Sequence, residues 1–263
     1  MLARWTLRVV ALGYLAMLLL IPVGMIAYRT FQHGLSPVWS SISQPDAISA
    51  LQLTLEVTAI AVVANTVFGI LIALVMVRGK MPGKLLLGGL MDLPFAVSPV
   101  VVGLTLILVY GQFGWFGAWF VQNGYPIIFA TPGIVLATMF VSLPFVAREV
   151  IPVLREIGDE QEQAAATLGA SRAQTFLRIT LPAIRWGVIY GVVLTTARAI
   201  GEFGAVAVVS GSVIGQTQTL TLRVQSSYEN FDRAGAYATG MELAAIALVT
   251  LFVMNLIKPR RAA

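Results

Sequence analysis

Apolar runs about as long as a bilayer is thick alternate along this chain with short polar segments. Val9–Tyr28, Val57–Val77 and Ile127–Ala147 hold no charged residue. Leu85–Tyr110 holds only Asp92, Trp186–Val209 holds Arg198 and Glu202, and Ala234–Ile257 holds Glu242. A helix needs ~20 predominantly apolar residues to cross a bilayer, and all six runs meet that length. No polar face accompanies them at helical spacing, which excludes the surface helices of a soluble bundle. The pattern predicts an all-α integral membrane protein with six transmembrane helices.

Composition agrees. Of 263 residues, 58% are hydrophobic and 11% charged, where a soluble domain carries about 25% charged. Basic residues between the runs set the orientation. With the N-terminus inside, the inner segments hold Arg4, Arg8, Arg78, Lys80, Lys84, Arg148, Arg155, Arg172, Arg178, Arg185, Lys258, Arg260 and Arg261. The outer segments hold Arg29, Arg223 and Arg233. Both termini are therefore expected in the cytoplasm, and the net charge of +5 reads as a topology signal, with no nucleic-acid partner. The first run is too long for a secretory signal and lacks a small-x-small site, so it is expected to be retained. Residues 1–263 read as one transmembrane domain without repeats.

Catalytic chemistry is not in view. "RGKMPGKLL" (Arg78–Leu87) lacks the spacing and the hydroxyl of a phosphate-binding loop. His33 is the one histidine and has no ligand-spaced companions, so no metal site is expected. No serine triad can be assembled. The absence of cysteine excludes disulfides and thiolate chemistry. No catalytic residue and no bound cofactor are expected.

The longest inner segment, about residues 148–185, is the one place where a polar fold is expected. Glu160 and Glu162 suit the first turn of a short helix, with Asp159 or a neighbour as its cap. Ala164, Ala165, Ala166 and Leu168 continue it, and Gly169 suits a left-handed C-cap. Ser171 and Gln174 have the spacing of a capping box that starts a second helix. Leu181-Pro182 is expected to close that helix. On these residues alone, a knob for a partner and a loop packed on its own bundle are equally good readings.

"QAAATLGASRAQTFLRITLP" resembles the "EAA" loop of permease subunits in bacterial ABC importers: Glu-Ala-Ala, three residues, Gly, nine residues, Ile-x-Leu-Pro. Ala164, Ala165, Gly169, Ile179, Leu181 and Pro182 fill the pattern, and Gln163 stands in place of the glutamate. The resemblance implies that Glu162, Gln163, Ala164, Ala165, Leu168, Gly169, Ala170 and Ser171 form a coupling helix that docks on a separate ATPase subunit, where ATP and Mg would bind. "DLPFAVSPVVVGL", "PGIVLATMFVSLPFVARE", the stretch Leu181–Gly211 and "GQTQTLTL" are similar to sulfate/thiosulfate importer permeases of the W-type. That likeness implies a type I importer permease fold in a bacterial inner membrane. Its implied partners are a homologous T-type permease, two copies of an ABC ATPase and an extracytoplasmic sulfate-binding protein. A molybdate/tungstate permease is the alternative within the class. A secondary anion carrier is the alternative outside it, and such a carrier has no use for the hairpin.

Charges inside the runs are candidate pathway residues. Arg198 and Glu202, four apart, can pair on one helix face, either lending charge to an anion path or locking the fifth run structurally, with Asp92 as a further candidate partner. Pro94 and Pro99 flank Ser98, and the stretch Pro94–Val102 is expected to be a broken helix lining the path.

Overall fold

The computed structural model describes residues 2–32 and 34–257; His33, Lys258, Arg260 and Arg261 lie outside them. Every regular element among the described residues is helical. The first run is α1 (Leu2–Leu15), a π-helical turn at Ala16–Leu20, and α2 (Ile21–Phe31). No part of its apolar window is buried within the chain. A short α3 (Ser36–Ile42) leads to α4 (Pro45–Val77), the longest helix at 33 residues.

The third helical unit is bent. α5 (Lys84–Ala96) and α6 (Pro99–Tyr110) meet at 112° across Val97 and Ser98. Both intervening residues have extended ψ values of 135°. The ring of Pro99 disfavours helical geometry at the residue before it, so Ser98 becomes the hinge. The break expected within Pro94–Val102 is present. A short α7 (Gly117–Gln122) follows, amid exposed Trp115, Trp119 and Tyr125.

Next come α8 (Thr131–Ser142) and α9 (Pro144–Glu156), which together form one apolar span, Thr131–Glu156. It starts four residues later than Ile127 and ends nine beyond Ala147, so Arg148 lies inside a helix and not in a loop. The polar hairpin is α10 (Glu160–Thr167) and α11 (Arg172–Thr175). A second π-helical turn, Phe176–Thr180, carries the chain without interruption into α12 (Leu181–Ile200). The expected stop at Leu181-Pro182 is therefore absent. Proline at position i removes the bond to the carbonyl at i−4 and clashes with it; the wider π-turn just ahead of Pro182 takes up that conflict. The same arrangement precedes Pro22.

The fifth run ends early as a helix. α12 stops at Ile200, and α13 (Gly204–Val209) restarts after Gly201–Phe203. α14 (Leu220–Glu229) and α15 (Arg233–Ile257) complete the order. Among the described residues, four helical stretches are long and apolar enough to cross a membrane, with a fifth crossing if the bent pair counts as one.

The core lies where α4, α9 and α12 meet. α4 buries a row of mostly small residues, among them Ala50, Ala61, Gly69 and Ala73. Such rows let helix backbones approach closely in lipid. Val146, fully buried, is the point of closest approach. A Cβ on Gly69 would stand 2.7 Å from its Cβ, and one on Gly191 of α12 would stand 2.6 Å from its Cα. Asn65 on α4 ties this core to α8, donating from Nδ2 to the Met139 carbonyl at 3.0 Å and to Ser142 Oγ at 2.9 Å.

Candidate functional site

The hairpin is built from its caps. α10 carries Glu160 and Glu162 in its first turn, with Asp159 at the cap position but without a side-chain bond. At the other end, the Gly169 N–H donates to Ala166 O and the Ala170 N–H to Ala165 O, both at 3.0 Å. Gly169 has a φ of +84°. This is a Schellman closure, which requires a left-handed residue where glycine stands. Ser171 and Gln174 then form the expected capping box, each bonding the other's backbone N–H, at 3.3 and 2.8 Å.

Around this frame Gln163, Ala164, Leu168, Gly169 and Ser171 are exposed, with Leu168 89% accessible, and Ala170 is half-buried. A bare leucine beside alanine and glycine makes a small apolar tip. Ala165 and Glu162 face the other way. Ala165 is buried, and Glu162 pairs with Arg78 at the end of α4, Nε to Oε2 at 3.0 Å. Glu162 Oε1 also accepts from Thr180 Oγ1 at 2.9 Å. Of the residues expected at a partner's surface, Glu162 is thus occupied within the chain.

Asp92, Arg148, Arg198 and Glu202 form two separate pairs. Arg198 meets Glu202 at 2.6 Å, and the Glu202 side chain is 2% exposed. Glu202 Oε1 also accepts from the Ala205 N–H at 2.9 Å, capping α13, and its carbonyl accepts from Thr221 Oγ1 at 2.9 Å. This carboxylate is what restarts the chain as α13. Asp92 does not join them. Its Oδ1 accepts from Arg148 Nη2 at 2.8 Å and Nε at 3.1 Å, and the Arg148 guanidinium lies 4.3 Å from the centre of the Phe95 ring. Pro94 is buried, and Ser98 sits exposed at the hinge.

Sequence reasoning missed Arg78, Thr180, Arg148 and Arg223. Arg223, assigned to an outer loop, is 7% exposed on α14 and donates to Gln44 Oε1 at 2.9 Å. Its place between Leu222 and Val224 is a local hint of burial. Arg78 gives no such hint, because its acceptors lie 76 to 84 positions away.

The helical bundle thus combines a bent helix pair, two ion pairs within its spans and a capped hairpin at one end. The chain belongs to the family described as binding-protein-dependent transport system inner membrane component, which matches residues 65–263. It is 49% identical over 257 residues to the sulfate transport system permease protein CysW of Synechocystis, covering 98% of this chain and 93% of that one. The corresponding CysW of Escherichia coli K12 is 44% identical, covering 98% and 88%. The CysT permease of the same organism is 36% identical, covering 95% and 90%. Among solved structures, a bacterial ABC transporter involved in the import of the acidic polysaccharide alginate shares the fold. It aligns with a TM-score of 0.76 at 16% identity, covering 99% of this chain and 96% of that one.

Proposed function

We propose that this chain is one of two permease subunits of an ATP-driven importer for sulfate and thiosulfate. The observation that carries the reading is the likeness to sulfate permeases along nearly the whole chain. The weaker likeness to CysT supports a homologous, distinct second permease as its companion. In this reading two ATPase subunits hold ATP and Mg, and an extracytoplasmic binding protein delivers the anion. The chain crosses six times with both termini inside: the four long spans, the bent α5–α6 pair and α15.

The exposed tip at Gln163, Ala164, Leu168 and Gly169 is the coupling surface, and it docks on an ATPase. Closing of the ATPase pair then moves the permeases as rigid bodies between inward- and outward-open arrangements. The Arg198–Glu202 pair is structural, since its buried carboxylate already serves as a helix cap.

Uptake of labelled sulfate tests the reading, in cells lacking this subunit and complemented with wild type or Gly169→Asp. Wild type restores uptake, the variant does not, and thiosulfate competes. Restoration of molybdate uptake in place of sulfate would move the substrate and keep the class. Normal transport by Gly169→Asp would remove the coupling role.

A further inference from the structure

Arg78 ends α4 and bonds to three other segments at once. Its Nε and Nη2 donate to the Glu162 carboxylate on α10, at 3.0 and 3.4 Å. Its Nη1 donates to the Leu154 carbonyl on α9 at 3.2 Å, and Nη2 also reaches the Gly158 carbonyl in the turn between α9 and α10. Glu162 extends the set by accepting from Thr180 in the π-turn that leads into α12. One guanidinium and one carboxylate thus join α4, α9, α10 and the root of α12. Both side chains are 21% exposed, shielded enough for charge-assisted bonds to hold.

We infer that Arg78 and Glu162 form an internal latch that makes the hairpin move as one piece with the helical bundle. The inference rests on the coupling role proposed above. The hairpin is continuous in chain with α9 before it and α12 after it, but nothing in the covalent path ties it to α4. A push on the exposed tip reaches α4 through Arg78. Without the latch, α10 can tilt in its place, because beyond these bonds it buries only Ala165. Arg78 is a positioning residue: it faces inward, away from the tip. Its flat fork is what the three-way attachment needs, and a lysine ammonium cannot reproduce that geometry.

The departure from the importer-loop pattern fits this arrangement. Gln163 is exposed and uncharged at the position of the pattern's glutamate, while the neighbouring carboxylate, Glu162, points into the bundle. The charge of Glu162 therefore acts within the chain.

The test uses the full complex in liposomes, with its binding protein, and reads sulfate accumulated per ATP hydrolysed. Arg78→Gln and Glu162→Gln each lower that ratio by about tenfold, and the double variant falls no further, because both changes break one contact. Arg78→Lys, which keeps the charge and loses the fork, also falls. A wild-type ratio in both single variants would overturn the inference, as would a double variant that falls by the product of the two. Failure of both single variants to assemble would also overturn it, by making the pair a requirement for folding. Gly169→Asp is the control for the underlying reading. If it uncouples while the Arg78 and Glu162 variants do not, the latch alone is wrong. If it transports normally, the coupling role itself is wrong.

Discussion

Arg148 and Asp92 pair through a single carboxylate oxygen, Oδ1, which takes both Nε and Nη2 of the guanidinium. Nη1 and Oδ2 remain available, and the two side chains are 50% and 47% exposed. Asp92 lies eight residues into α5, about 12 Å along the helix axis at 1.5 Å per residue. A charge pair at such depth faces water or protein in preference to lipid.

Half-exposed ion pairs contribute at most about 1 kcal/mol to stability. Arg148→Ala is therefore expected to leave thermal unfolding of the detergent-purified complex within a few degrees of wild type. Sulfate uptake is expected to fall, as a charge that faces water or protein within the membrane is lost. Unchanged uptake would show that the pair faces only a packing contact.

Glu202 behaves in the opposite way. Glu202→Ala leaves Arg198, whose side chain is 32% exposed, without its partner and uncaps α13, and loss of a helix cap costs about 0.5–2 kcal/mol. Removing both charges, in Arg198→Ala with Glu202→Ala, is expected to unfold at a higher temperature than Glu202→Ala alone. A calorimetric comparison of the purified variants decides the point. Equal loss in the two would mean that the cap at Ala205, and not the charge, is what matters.

The two glycines against Val146 differ in what blocks them. At Gly69 the nearest atoms are the Val146 Cβ at 2.7 Å and Cγ1 at 2.9 Å, so Gly69→Ala destabilises, and Val146→Gly, which removes both, relieves it where Val146→Ala leaves the Cβ in place. At Gly191 the nearest atom is the Val146 Cα, which no trimming of the valine removes. Overpacking of this kind costs about 1–3 kcal/mol. Thermal shifts of the single and paired variants give the answer: rescue at position 191 would mean that the backbones separate easily there.

Gly169 has open space around it and a left-handed backbone. Gly169→Asn is expected to transport normally, since asparagine tolerates that geometry. Gly169→Val is expected to fail, as β-branching makes a positive φ a severe strain. Hydrogen exchange at the Ala170 amide, bonded to Ala165 O, reports the closure directly; protection should persist in the first variant and vanish in the second.

The hairpin is legible in the sequence because its signals are local. Gly169 and the Ser171–Gln174 box act within a turn of their own positions, and the structure shows both bonded as their spacing implies. The apolar runs are legible for a similar reason. Their ends are not. The break after Ile200 depends on the Glu202 carboxylate finding the Ala205 N–H, yet the same i, i+4 spacing from Arg198 suits an unbroken helix equally well. The partner of Asp92 lies 56 positions away and that of Arg78 lies 84 away. Such pairings are set by how the helices stack, which no short window of sequence contains.

The π-turn at Phe176–Thr180 fixes the angular setting of the knob. A π-turn holds one residue more than a regular turn, and each residue of an α-helix advances the direction of its side chains by about 100°. The surplus residue is taken up inside the wide turn, so the hairpin and α12 keep the alignment of one continuous helix. Were Phe176–Thr180 to tighten to regular α-helix with every residue kept, the surplus would rotate the hairpin by roughly a quarter turn about the axis of the span, and Leu168 would point toward a different neighbour. The compass bearing of the docking tip is thus held by the wide turn ahead of Pro182.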